Sequence, residues 1–545
     1  MVRRNRLDFV TVLSLACAPA VLCGCHDAPA DRSPSAGDGP ADAGPADSTD
    51  DTSADGTDPS PSQAPLCPGA ITRALPIVVP GASVPSLLGL PVDRIAVFRW
   101  RDGWERVTSQ VDERRALNAP EPTLFYVLEE LDVPANATDV GFSALGQDDD
   151  PAFDANDEIA VPADAPGDQA PRGIALPDGA ASPGVEVTAF DAIEGTTGFL
   201  YAFESAGSGP SFDPEVDYER SLCADSPEAF DGECAQSWAA SLERTTVTTP
   251  CYGTRFTATW IMDELRVFDA QGGTGEDLID QWKGRAGILK AHPSDGPYWP
   301  SGEVEDIGAR VNATTGQMTW CGGWSTTNDT THYYVGQTVG PVRAIRMVHG
   351  ACSYTNLVRT TIFSRAAIED RFWLRGHAIS ASQGGIAFYW DYSEAASPLE
   401  YTRVGLDAPV TFDGAVDFSA ADGSAEVNGP VIAADALRTG IAEEVSSAAG
   451  GLLFFTQQTF GATDPALHEI VPYQLDDAAF DDGTGSEPGV IGGQGLRFRF
   501  IEATDDAPLG FTFVYRPTAA LAPSSVEPFQ EMMATPLEIS SAAWP

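Results

Sequence analysis

A mainly β fold, with a small N-terminal β-domain, a large antiparallel β-sandwich behind it and few helices, is what this sequence predicts. Two observations carry the prediction. From about residue 67 onward, short runs rich in β-branched and aromatic residues recur, each bounded by proline or glycine turns. Helical periodicity is confined to 275–282 and 364–370, and no repeat of solenoid period is present.

A chain of 545 residues has room for two to four domains. Its 43% hydrophobic and 20% charged residues are ordinary for a protein with a large core. The charge balance is not ordinary: 79 acidic residues stand against 31 basic ones, a net charge of −48. Such a field repels nucleic acid and anionic headgroups, which excludes a nucleic-acid-binding role. It suits a saline or calcium-rich exterior.

At the N-terminus, Arg3, Arg4 and Arg6 precede an apolar run at 9–22 that closes on Leu22-Cys23-Gly24-Cys25. The run is too short to span a bilayer, which takes about 20 residues, so residues 1–25 read as a signal and not an anchor. This layout resembles a bacterial lipoprotein signal. The resemblance implies cleavage before Cys25, acylation of Cys25, and a mature chain held to a membrane by lipid, on the outer-membrane surface or its periplasmic face. No later stretch is long and apolar enough to cross a membrane. Residues 26–66 are Asp, Pro, Ala, Gly, Ser and Thr with almost nothing apolar, so they read as a disordered, self-repelling tether. Cys23-Gly24-Cys25-His26 is one residue short of a haem-attachment signature.

With Cys17 and Cys23 removed and Cys25 acylated, Cys67, Cys223, Cys234, Cys251, Cys321 and Cys352 remain, an even set that fits up to three disulfides in an oxidising compartment. Cys223 with Cys234 and Cys321 with Cys352 would close local loops, leaving Cys67 to pin the start of the folded part to Cys251.

Residues 67–205 form the expected N-terminal β-domain, with strand-like runs at 74–79, 94–100, 104–111 and 124–128, then a pair at 185–190 and 198–204. Residues 206–545 form the expected sandwich. It opens on a pair at 254–260 and 264–268, with further strands at 342–348, 360–363, 371–379, 385–392, 452–456, 496–501 and 510–515.

Two regions carry candidate chemistry. The first is the acidic loop at 147–158. Asp148, Asp150 and Asp154 occupy the first, third and seventh places of a calcium-type loop, and Asp157 or Glu158 is available to close the shell. The fifth and twelfth places, Ala152 and Ile159, are wrong for an EF-hand, and a solvated acidic turn is the competing reading. A structural calcium ion is the cofactor this loop would hold. A second acidic turn, Asp476-Asp477 and Asp481-Asp482-Gly483, reads as turn chemistry.

The second region is 340–377, where the charge reverses. Residues two apart on a strand share a face, so Arg371, Trp373, Arg375 and His377 line one side and Phe372 and Leu374 the other. Arg343, Tyr389 and Trp390 lie in neighbouring runs, and Trp299, Trp320, Trp324, His332, Tyr333 and Tyr334 lie upstream. Arginine forks bind carboxylates and aromatic faces pack on sugar rings, so an acidic polysaccharide is a ligand this region would suit. A lyase would also need a base, for which His377 and His349 are the candidates. The alternative is that these arginines pair with neighbouring acids and the aromatics are core.

The order ALPIVVPG…DRIAVFRWRDGWERVTSQVDER…DDDPAFDANDEIAV resembles the N-terminal β-domain of uncharacterised bacterial lipoproteins. With the later Gly340-Pro341-Val342-Arg343 it is similar to rhamnogalacturonan-lyase-type proteins, in which a super-β-sandwich follows. The C-terminal part departs from that pattern, reading without a helical toroid domain, so the resemblance raises a carbohydrate ligand without establishing catalysis. HExxH, CxxC, GxSxG, GxGxxG and P-loop motifs are absent. The leading expectation is a lipid-anchored envelope protein that binds carbohydrate or another surface partner. The alternatives are a lyase acting on uronate-containing glycans and a structural lipoprotein with a protein partner.

Overall fold

The computed structural model describes residues 67, 73–117, 123–131, 146–147, 151–206, 212–222, 243–256, 262–288, 303–306, 309–312, 318–319, 333–352, 355–376, 384–406, 408–415, 426–428, 432–461, 468–479, 490–501, 508–518 and 525–544. All of them belong to one compact unit, Gln63–Pro545. The signal with Cys25 and the 26–66 segment lie outside the described residues.

The fold is mainly β, built on two large antiparallel sheets of twelve and ten strands. Strand Ala367–Gly376 illustrates how the sequence builds them. Ile368, Phe372 and Leu374 point into the main core, while Trp373 joins a separate cluster on the opposite face. The strand Leu509–Thr518 beside it sends Phe511, Phe513 and Tyr515 into the same core, and the facing sheet supplies Phe256, Trp390, Tyr392 and Leu496. Burial of side chains this large contributes on the order of 2–3 kcal/mol apiece. This core is what holds the two sheets together.

Besides the hairpin Arg114–Leu117 with Thr123–Tyr126, the N-terminal region has two smaller sheets. Three strands, Ile77–Pro80, Glu158–Val161 and Gln110–Asp112, form one. The other has five, with Ile95–Trp100, Thr196–Ser205 and Ala180–Asp191 at its centre. Ile77, Val79, Val97, Ile159, Val187 and Leu200 fill the space between them. The C-terminal strand Glu538–Trp544 completes the five-stranded sheet against Ala180–Asp191, and its Trp544 packs edge-on against Trp104 and Tyr201. Conversely, Glu130–Leu131 adds to the ten-stranded sheet beside Tyr333–Val339.

Two helical expectations are overturned. Residues 279–282 begin the strand Ile279–Ile288, and 364–370 is a strand end, a two-residue turn at Arg365-Ala366 and the start of Ala367–Gly376. Pairing with Gly384–Tyr392 and with Thr355–Ser364 overrides the weak local periodicity. The α-helices among the described residues are Ala434–Thr439 and Val526–Ala534. Arg73 caps the second of these, donating to the carbonyls of Met532 and Thr535 while bridging Asp191 at 2.6 Å.

Cys67 and Cys251 form a disulfide across 184 residues. Cys223, Cys234 and Cys321 lie outside the described residues. The Asp476 turn follows turn chemistry: its buried carboxylate accepts the backbone N–H groups of Asp413, Gly414 and Gly492.

On strand Ile441–Ser447, Glu444 is 2% exposed, and its Oε2 has no hydrogen-bond partner among the described residues. Burial, with Glu400 adding repulsion from the next strand, pushes the carboxyl up to about 7. A raised carboxyl costs nothing below its unfolded pKa. The penalty grows as pH climbs toward the folded value and is complete above it. Glu444→Gln is therefore expected to stabilise the protein by about 2–3 kcal/mol at pH 8 and by nothing at pH 4. Urea unfolding of both proteins at the two pH values checks this, and an equal difference at both would refute it.

Candidate functional site

The acidic loop and the arginine-rich strands, 185 residues apart at Glu158 and Arg343, meet in one buried network. Strand Gln110–Asp112 lies beside Glu158–Val161, so Gln110, Asp112 and Glu158 present their side chains together. Gln110 Oε1 accepts the backbone N–H groups of Val342 (3.2 Å) and Arg343 (3.0 Å), and its amide donates to Asp112 at 2.6 Å. The contact is close enough that a Cβ on Gly340 would sit 2.1 Å from Gln110 Oε1, which explains glycine there. Arg343, 1% exposed, then donates Nε to Asp112 (2.8 Å) and Nη2 to Glu158 (2.7 Å).

Glu158 also bridges Arg114 at 2.5 Å and accepts the Tyr126 hydroxyl at 3.0 Å. Burial alone would push its carboxyl up, but the charges of Arg343, Arg371 and Arg114 hold it down at about 2. The Tyr126 oxygen in turn accepts from Arg371 Nη1 at 2.7 Å, and Arg371 Nε donates to Glu369 at 2.6 Å. Three guanidinium groups thus face three carboxylates, and Arg371, the most exposed of them, reaches open space.

That space is a cavity of about 430 Å³ on the face of the ten-stranded sheet turned away from the main core. Arg371 and Glu369 give it a polar patch, and Phe125, Trp373, Phe460 and Leu124 give it apolar walls. Phe125 and Trp373 pack edge to face, with ring centroids 6.0 Å apart. The Arg371 side chain is 34% exposed, Leu124 is exposed at the rim, and Phe460 is half-buried.

The expected ligand residues divide sharply. Arg371 and Trp373 line the cavity together, Trp373 as a mostly buried wall. Arg343 is a buried ion-pair partner and presents nothing to a ligand. Tyr389 is wholly buried, and Trp390 is clamped between Phe454 and Tyr515 in the core, so neither forms an exposed platform. His349 is wholly buried beside Met347 and does not line the cavity. His377 lies outside the described residues, as do Trp299, Trp320, Trp324 and His332, and the side chains of Arg375, Tyr333 and Cys352 are not described.

In the acidic loop, Asp157 accepts the backbone N–H groups of Asp154 and Arg114, Asp154 accepts that of Asn156, and Glu158 faces the arginines. Burial, opposed by those backbone bonds, pushes Asp157 up to about 6. Asp148 and Asp150 lie outside the described residues, as do Asp481 and Asp482. Among the described residues no group of three or more His, Cys, Asp or Glu is placed to hold a metal.

Sequence reasoning missed Tyr126, Glu369, Phe460 and Gln457, which also lines the cavity. Glu369 could have been found from its place two residues before Arg371 on one strand face. Tyr126 and Phe460 carry no local signal, because they reach the site from strands remote in sequence.

No family model matches the chain, and no curated protein matches it. Among solved structures, heparinase III is similar over 59% of this chain and 39% of its own, at 10% identity and a TM-score of 0.24. The copper-containing benzylamine oxidase of Hansenula polymorpha is similar over 55% of this chain and 59% of its own, at 9% identity and a TM-score of 0.20. The chain thus spans well under half the length of heparinase III, and likeness at this level carries no argument.

Proposed function

We infer that the protein is a lipid-anchored, extracytoplasmic envelope protein that binds glycan without catalysis of its own. The observation that supports this most is the Arg371 cavity. The half-buried Phe460 ring offers a surface for a sugar ring, and a guanidinium fixed by Glu369 and Tyr126 offers oriented donors for a carboxylate or hydroxyl. The same groups argue against a lyase here. The Tyr126 hydroxyl donates its hydrogen bond to Glu158, and burial raises its pKa further, so it keeps its proton and is a poor base. Anchoring rests on the lipoprotein-like layout ending at Cys25.

The test is retention on a panel of acidic and neutral polysaccharides, with unsaturated product read in the same wells. Wild-type protein is expected to be retained without product. Arg371→Ala and Phe460→Ala are each expected to weaken retention about tenfold or more. Unsaturated product would replace this reading with the lyase. Retention unchanged in both variants would remove the cavity from it.

A further inference from the structure

A second cavity, about 470 Å³, opens between the two large sheets. Its floor comes from Leu399–Arg403 and Ile441–Ser447, neighbouring strands of the ten-stranded sheet whose register sets Arg403 opposite Glu443. Directly opposed residues share a face with their Cβ atoms about 5 Å apart. Pro472 and Leu496 of the twelve-stranded sheet form the facing wall, and the exposed Asp435 and Thr439 of helix Ala434–Thr439 line its helix side. The Arg371 cavity lies on the other face of this sheet. Strand Gly450–Phe460 sends Phe455 and Gln457 to that cavity and Thr456 to this one, as alternation requires.

Glu443 is 7% exposed. Its Oε1 accepts the Tyr401 hydroxyl at 2.7 Å and its Oε2 accepts the Gln494 amide, which is steadied in turn by the Tyr392 hydroxyl at 3.2 Å. Burial raises the Glu443 carboxyl, against the pull of Tyr401 and Arg403. Arg403 is half-buried, yet it closes no ion pair with Glu443 or any other acid among the described residues. A guanidinium and a carboxyl set side by side, unbridged and under open space, is a poor packing solution. Apolar residues of similar volume would do as well or better. Each carboxylate oxygen of Glu443 keeps capacity for another donor, and the Arg403 fork has no acceptor.

We propose that this cavity binds a hydroxy acid about the size of one sugar ring, its carboxylate on Arg403 and its hydroxyls on Glu443. The volume falls in the roughly 300–1,000 Å³ range of small-molecule sites. The fork geometry of arginine selects a planar carboxylate, and a hydroxyl donor completes Glu443. The site stands independently of the glycan-binding reading, since it shares no residue with the Arg371 cavity.

The test is calorimetric titration of the detergent-solubilised full chain with glucuronate, and with glucose as the counterpart in which a hydroxymethyl group replaces the carboxylate. Glucuronate is expected to bind at least about tenfold more tightly than glucose, and Arg403→Ala to lose about tenfold or more. Thr439→Trp, at an exposed helix position, is expected to block binding by filling the cavity from its helix side without touching Glu443. Phe460→Ala is expected to bind glucuronate like the wild type. Equal or undetectable binding of the two sugars, or wild-type affinity in Arg403→Ala, overturns the proposal. So does glucuronate binding that is lost in Phe460→Ala and kept in Arg403→Ala, which would move the acid to the other cavity.

Discussion

Arg343→Ala is expected to cost about 3–5 kcal/mol of stability, because it strands Asp112 and Glu158 as buried carboxylates with too few partners. Replacing the set is different from breaking it. Arg343→Met combined with Asp112→Asn and Glu158→Gln is expected to recover most of the loss, since no buried charge is then left unpaired. The pH dependence has a definite sign. Glu158 is held at about 2 when folded, so its contribution is complete above the ordinary carboxylate range and is lost as pH falls from about 4.5 toward 2. With the side chain 6% exposed, that contribution is on the order of 3 kcal/mol. Denaturant midpoints of wild type, Arg343→Ala and the triple variant at pH 7 and pH 3 are the measurement. A single variant as stable as wild type at pH 7 would show that the network is not what joins the N-terminal sheets to the sandwich.

Cys67→Ala should be nearly as damaging, at about 3–5 kcal/mol. The bond closes a loop across 184 residues, and cross-links over long loops restrict the unfolded chain most. Both cysteines are buried in the main core, so the bond also fixes Cys67 to the turn before Tyr252–Phe256. Urea unfolding of Cys67→Ala and Cys251→Ala should give the same loss for each, and the double variant should add little. Unequal losses that sum in the double variant would mean that packing, and not the cross-link, supplies the stability.

The Gln110-Val111-Asp112, Asp157-Glu158 and Gly340-Pro341-Val342-Arg343 segments are the parts that lock together: Gln110 on two backbone N–H groups, Asp112 and Glu158 on one guanidinium. The cavity beside them takes Arg371, Glu369 and Tyr126 from the same network, while Leu124 and Phe460 carry no such mutual demand.

Alternation and turn residues by themselves determined the mainly β fold, the pairing of 185–190 with 198–204, and the division of Ala367–Gly376 into an Arg371–Trp373 face and a Phe372–Leu374 face. Cysteine parity and the removal of local pairs pointed to Cys67 with Cys251. These are properties of a strand's own two-residue period or of simple counting, and both are local. What only the tertiary structure decided is which face meets what. Trp390 and Trp373 look alike as sequence, but one is clamped between Phe454 and Tyr515 and the other walls a cavity. Arg343, Arg371 and Arg403 are likewise three arginines on strands, and they end as a buried ion pair, a cavity donor and an unbridged cation. The difference lies in their partners. Asp112 is 231 residues from Arg343 and Tyr126 is 245 from Arg371, while Glu443 reaches Arg403 only through strand register. Pairing over such separations is chosen by the whole core at once, and no window of sequence contains it.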